Sequence, residues 1–133
     1  MNILLLDDDT RDVPEIAEVW RRLSHKVTQV EDWRNLDRAM ALQNFDAVLI
    51  DLMIPAIGLP SADCAAGFTT GEFIYRKYIY PKLPSKPFAI FSAALLGLEV
   101  IRAANERLKS YATYRGYFVK GCPNEVILKA ISQ

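Results

Sequence analysis

Only two of the 133 residues are cysteines, Cys64 and Cys122. They form neither a metal-ligand spacing nor a disulfide framework, so a reducing, cytoplasmic setting is expected. Histidine is scarcer still. His25 stands alone, away from every motif, and reads as a surface residue at a helix end. No sign of charge dominates, since 16 basic residues balance 16 acidic ones. That balance leaves no electrostatic footprint for nucleic acid or for an anionic membrane surface. Long apolar runs are missing too. The N-terminus meets Asp7 after four consecutive apolar residues and has no basic lead-in, which argues against a signal peptide. The longest uncharged stretch, Pro87 to Leu98, is too short to span a bilayer. Internal repeats and low-complexity tails are also absent. A single domain over residues 1–133 is expected, with enough apolar content (51%) for a proper core.

What the chain does have is a regular alternation. Ile3–Leu6 is a short apolar run stopped by Asp7-Asp8-Asp9. Thr10 or Asp12 can cap a first helix that carries Pro14 in its opening turn and Ile16, Val19, Trp20 and Leu23 at helical spacing. Lys26–Glu31 alternates and is β-branched, a second strand. Asp32 can cap a second helix bearing Leu36, Ala39, Met40 and Gln43. Ala47–Ile50 is a third apolar run, ending on Asp51 with Pro55 four residues later. Ile57–Thr70 then mixes glycine, proline and small residues without a period, and reads as a loop long enough to be functional.

Thr69 or Thr70 can cap a third helix with Phe73, Ile74, Lys77 and Tyr78, closed by Pro81. Phe88–Ser92 is a fourth strand. A helix from Leu95 to about Tyr111 follows, with Leu98, Ile101, Asn105, Leu108 and Tyr111 on related faces. Gly116 resets the chain for a fifth strand at Tyr117–Lys120. Pro123 starts the last helix, packed by Val126, Ile127, Ala130 and Ile131. Five strands alternating with five helices predict an α/β fold built on a parallel sheet with right-handed crossovers.

In a parallel sheet the carboxyl ends of all strands share one rim, where ligands of open α/β folds bind. Four of the five expected strands end on a polar group: Asp7-Asp8, Asp51, Ser92 and Lys120. Three carboxylates drawn together repel, so a proton or a cation must sit among them. Hard oxygen ligands of this kind suit Mg2+. A lysine and a hydroxyl at the same point match the oxygens of a phosphoryl group, and a carboxylate can itself be the nucleophile that forms an aspartyl phosphate.

The set Asp7-Asp8, Asp51-Leu52-Met53-Ile54-Pro55, Phe91-Ser92-Ala93 and Val119-Lys120-Gly121 resembles the CheY-like receiver domain of two-component response regulators, over nearly the whole chain. The resemblance implies a flavodoxin-like (βα)5 fold with strand order 2-1-3-4-5. It implies that Asp51 accepts a phosphoryl group from a histidine kinase or a histidine phosphotransfer protein. By the same resemblance Asp7, Asp8, Asp51 and the main-chain carbonyl of Met53 hold Mg2+. Lys120 pairs with the phosphate, Ser92 moves to hydrogen-bond it, and Tyr117 is the aromatic that swings inward. Such a protein is a signalling phosphoacceptor rather than an enzyme. With no output domain after Gln133, it is expected to act by binding a downstream protein target or by passing the phosphoryl group on, with a homodimer among its assemblies. No nucleic acid and no membrane is implied.

Three features depart from the family pattern. Gly71-Glu72-Phe73-Ile74 comes late, which places an insertion at roughly residues 56–70. The segment between Ser92 and Lys120 looks longer than usual. Gly121 stands where the family has proline, often after a cis bond. The residues two beyond the acceptor and two beyond the hydroxyl, Met53 and Ala94, cannot orient water, so slow self-dephosphorylation is expected. Two other functions fit parts of the pattern. Asp7 and Asp9 match the nucleophile motif of a haloacid-dehalogenase-like phosphohydrolase, although that leaves Asp51 without a role and only Glu125 as a late acid. A degenerate receiver would serve purely as an interaction module, against which stands the presence of all five site residues.

Overall fold

β1 (Asn2–Leu6), β2 (Lys26–Val30), β3 (Ala47–Ile50), β4 (Phe88–Ser92) and β5 (Tyr114–Val119) pair in parallel as one sheet, in the order 2-1-3-4-5. The computed structural model describes all of residues 1–133, and the expected doubly wound, flavodoxin-like arrangement is the one observed. The helices are α1 (Asp12–Arg22), α2 (Leu36–Leu42), α3 (Thr70–Ile74), α4 (Glu99–Leu108) and α5 (Asn124–Ile131).

The apolar strands alternate between two cores. Leu4, Leu6, Val48, Ile50, Phe88 and Ile90 face α2, α3 and α4, whereas Ile3, Leu5, Ala47, Leu49, Ala89 and Phe91 face α1 and α5. Every residue of β3 is buried, which is why its sequence is continuous rather than alternating in polarity. Trp20 on α1 packs fully buried against Phe91, and its indole donates to Asn124 Oδ1 at the start of α5.

Several expected details are corrected. On α1 the buried residues are Val13, Ala17 and Trp20, while Val19 and Leu23 are exposed. The largest side chain, Trp20, sets the face, and Val13 and Ala17 lie on it at helical spacing. Val126 on α5 is exposed as well. Neither Thr10 nor Asp12 caps α1. Asp9 does so instead, its Oδ1 accepting from the backbone N–H groups of Arg11 and Asp12 at 2.8 and 3.0 Å. Asp32 is a cap as expected, accepting from Arg34 N, though for a short 3-10 turn (Trp33–Asn35) that leads into α2.

α3 is shorter than expected and runs on as a π turn, Tyr75–Ile79, in which Tyr80 N donates to Tyr75 O. Phe73 and Ile74 are buried as expected, Tyr75 and Ile79 join them, and Lys77 is exposed. α4 begins at Glu99, and Leu95, Leu96 and Leu98 lie exposed in the segment before it. β5 begins at Tyr114, with Gly116 inside it. Three residues of β4 (Phe88 to Ile90) lie opposite four of β5 (Tyr114 to Tyr117), a β-bulge. Gly116 carries that bulge at φ 121°, a backbone conformation side chains rarely adopt.

The 56–70 segment is not structureless. It holds 3-10 turns over Ser61–Gly67, interrupted by Ala65 and Ala66 in the left-handed region at φ 47° and 54°. Left-handed alanines cost about 1–2 kcal/mol each, so tertiary contacts must hold them. Cys64, fully buried, is one anchor, and Thr69 N donates to its carbonyl. Thr69 does not cap α3 through its side chain; Thr70 Oγ1 donates to Gly67 O instead. Glu72 on α3, nearly buried, makes a two-armed ion pair with Arg107 on α4 at 2.7 and 2.6 Å.

Candidate functional site

The backbone delivers the polar groups to one rim. Asp51 N donates to Leu6 O at 2.9 Å, locking the end of β3 beside the end of β1. Lys120 N donates to Ser92 O at 2.8 Å and does the same for β5 and β4. On the other side of Asp51, α3 presses in at Gly71, whose N–H donates to Leu52 O. An added Cβ there would stand 2.2 Å from the Asp51 carbonyl oxygen, so only glycine fits.

The three consecutive aspartates do different things. Asp7 is completely buried, with Oδ1 accepting from Asp9 N at 2.9 Å. Its Oδ2 has no aligned hydrogen bond and faces the Lys120 ammonium at 2.8 Å. Asp8 is exposed, and one of its oxygens lies within 4.8 Å of an oxygen from each of Asp7 and Asp51. Asp9 caps α1 with Oδ1, while its Oδ2 stands 3.8 Å from Lys120. Asp51 is nearly buried; Oδ1 accepts weakly from Met53 N at 3.3 Å, and Oδ2 lies 3.5 Å from Lys120 Nζ.

Burial raises the pKa of Asp7 from an ordinary 3.8 to about 6, and the Asp51 charge pushes the same way; Lys120 and the Asp9 N–H pull it back only in part. For Lys120 burial opposes the charge, yet Asp7, Asp51 and Asp9 together hold it above the usual lysine range. The rim is thus a carboxylate trio with one ammonium leaning into it. An oxygen donor set of this spacing, with the buried Asp7 Oδ2 lacking an aligned hydrogen bond, fits a hard divalent cation such as Mg2+.

The raised Asp7 has a measurable consequence. In the unfolded chain it returns to about 3.8. Between the two values the folded protein holds the proton more tightly, so this group's contribution to stability declines as pH rises through the window. In metal-free buffer the melting temperature of Asp7→Asn minus that of the parent is expected to grow as pH is raised from about 4 to about 7. A difference independent of pH would contradict the raised value.

Ser92 and Tyr117 join through a third residue rather than reaching the carboxylates. Ser92 Oγ accepts from Ala94 N at 3.2 Å, and the Tyr117 hydroxyl donates to Ala94 O. Ser92 is buried and Tyr117 half-buried. The Lys120–Gly121 peptide is trans, with Gly121 at φ 100°. One residue at this rim carries no signal in the sequence. Gln29 on β2 donates to the carbonyls of both Asp7 and Asp9. Asp9, besides matching the phosphohydrolase motif, belongs to an acidic turn suited to capping a helix, and that is the use its carboxylate has here. A cleft of about 270 Å3 beside Asp8 is walled by Met53, Ile54 and Pro55 on one side and by Ala66, Gly67 and Phe68 of the 56–70 segment on the other.

No helix is long and apolar enough to cross a membrane. No protein-family model and no curated protein matches the sequence. Solved structures do match. The BeF3-activated receiver domain of Klebsiella pneumoniae RstA aligns at 17% identity and a TM-score of 0.71, covering 99% of this chain and 96% of that one. A response regulator from Burkholderia pseudomallei, solved with a phosphorylated aspartic acid, calcium and citrate, aligns at 16% identity and a TM-score of 0.74. It covers 98% of this chain and 65% of that one. TrrA from Thermotoga maritima, in complex with Mg2+ and BeF, aligns at 18% and 0.63, covering 96% and 92%. Over nearly its whole length, the chain has the CheY-like receiver fold of response regulators.

Proposed function

We propose that residues 1–133 are a single receiver domain whose Asp51 accepts a phosphoryl group from a phosphohistidine, on a histidine kinase or a histidine phosphotransfer protein. The observation that carries this is the convergence of Asp7, Asp8 and Asp51 with Lys120 at the carboxyl ends of three strands. Asp51 Oδ attacks phosphorus as the N–P bond breaks. The imidazole keeps that electron pair, and the new bond is a mixed anhydride on Asp51. Asp7, Asp8, Asp51 and the Met53 carbonyl would hold Mg2+, which supplies neutralisation of the phosphoryl oxygens. Lys120 already stands 3.5 Å from the acceptor oxygen and adds a second positive charge there.

Phosphorylation then adds charge and acceptor oxygens that re-pair Lys120 and Ser92. Ser92, Ala94 and Tyr117 link the site to the segment before α4, so a shift there changes a partner-binding surface. The inserted 56–70 segment forms part of the site's flank beside Asp8. The protein acts as a cytoplasmic signalling phosphoacceptor rather than as an enzyme. The phosphohydrolase reading is weakened because the Asp9 carboxylate is engaged as the cap of α1.

Treatment with acetyl phosphate and Mg2+, followed by peptide mass mapping, tests this. A single phosphoryl adduct on Asp51 is expected, lost in Asp51→Asn and in EDTA. Label on Asp7 would sink the receiver assignment.

A further inference from the structure

Gln29 lies on the edge strand β2, outside the carboxylate trio, yet its side chain touches the loop that carries two of the three. Nε2 stands 2.9 Å from the Asp7 carbonyl and 2.8 Å from the Asp9 carbonyl. Carbonyl oxygens only accept, so both neighbours require the NH2 end of the amide, and both of its hydrogens are engaged. The backbone adds one tie to the same stretch, Asp7 N to Val30 O at 3.1 Å. Asp8, the exposed member of the trio, lies between the two clamped carbonyls.

We propose that Gln29 is a positioning residue for the metal site: its amide holds the Asp7–Asp9 loop so that the Asp7 and Asp8 carboxylates converge on Asp51 before a cation arrives. The inference rests on reading Asp7, Asp8 and Asp51 as that site. Two hydrogen bonds from one side chain fix carbonyls two residues apart, which restricts the backbone on either side of Asp8. Ordering that loop in advance lowers what cation binding must otherwise supply. The length of the side chain matters. Gln29 pairs with Leu5, two residues before Asp7, so its amide must reach past the end of β1. Asparagine, one carbon shorter, falls short.

The test uses Gln29→Met and Gln29→Leu, which stay uncharged, keep most of the bulk and lose the donors. Mg2+ is titrated at pH 7.5 and read by Trp33 fluorescence, since Trp33 lines a cleft with Asp8, and by the amide shifts of Asp8 and Asp51. Both variants are expected to bind Mg2+ on the order of tenfold more weakly, the usual cost of losing a residue that orients a metal ligand. Their melting temperatures and the amide shifts of β4 and α5 should stay near the parent's; a merely structural role would move those and leave the dissociation constant alone. Both variants binding within about twofold of the parent would overturn the proposal. A parent that shows no Mg2+ response sinks the metal reading itself, a separate outcome. Without any variant, the Gln29 side-chain amide protons of the parent should exchange with solvent more slowly than those of exposed Gln133. Equal rates would remove the clamp.

Discussion

Gly71→Ala is expected to be among the most damaging single-atom additions in the protein. The new Cβ would sit 2.2 Å from the Asp51 carbonyl oxygen and 2.9 Å from Ile50 Cγ2. The oxygen belongs to backbone held by the sheet on one side, through Asp51 N to Leu6 O, and Gly71 itself is tied to Leu52 O. Neither partner is a flexible side chain that can swing away. Relief requires lifting α3 off the end of β3, which drags Glu72 from Arg107 and disturbs the buried Phe73, Ile74 and Tyr75. A cost of about 3 kcal/mol or more follows from overpacking of this severity. For a domain of this size that lowers the melting temperature by roughly 10 °C. Gly97→Ala is the control, because nothing lies within 4 Å of a Cβ there. It should shift stability by no more than about 0.5 kcal/mol. Urea midpoints for the two variants decide the matter, and equal midpoints would show that α3 yields freely. The same displacement moves the acceptor, so Gly71→Ala should also slow Asp51 phosphorylation under conditions where it remains folded.

Much of this arrangement is legible in the chain. The three apolar runs Ile3–Leu6, Ala47–Ile50 and Phe88–Ser92 are legible because a strand buried on both faces carries few polar residues, and Tyr117–Val119, on the half-buried edge strand β5, is legible from its aromatic and β-branched content. Each run ends where its polar residue begins, so the rim could be read from the same boundaries. What could not be read depends on contacts far apart in sequence. Val19 and Leu23 sit at helical spacing with Trp20, but Trp20 reaches Phe91 and Asn124, and that choice turned the helix so that they face solvent. Gly116 looked like a strand boundary because a lone glycine usually is one. Inside β5 it carries a bulge, visible only once Phe88 and Tyr114 are seen in register. Gln29 carries no motif at all. Its meaning comes from β2 lying next to β1, which brings one amide to two carbonyls some twenty residues away.

Lys120→Met is expected to move two properties of the site in opposite directions. In the metal-free protein the ammonium is 2.8 Å from Asp7 Oδ2 and 3.5 Å from Asp51 Oδ2, two of the three carboxylates that could hold a divalent cation. Lysine and cation therefore compete. Removing the lysine abolishes that repulsion and leaves Asp7 without the charge that offsets its burial, so its proton is held more tightly still. Above the pH at which Asp7 ionises, Mg2+ should bind Lys120→Met about tenfold more tightly, which takes only about a third of the ~4 kcal/mol between unit charges 4 Å apart at an effective dielectric near 20, because the long lysine side chain can swing aside in the parent. Phosphotransfer goes the other way. The oxygens that gain charge on reaching Asp51 lose a donor held in place beforehand, and removal of one such group costs on the order of 100-fold in rate. Mg2+ titration and the initial rate of labelling by acetyl phosphate, taken on the same sample at pH 8, separate the two effects. If affinity and rate fall together, Lys120 holds the shape of the rim rather than its charge. Tighter metal with slower transfer identifies it as the cation that waits for the phosphoryl group.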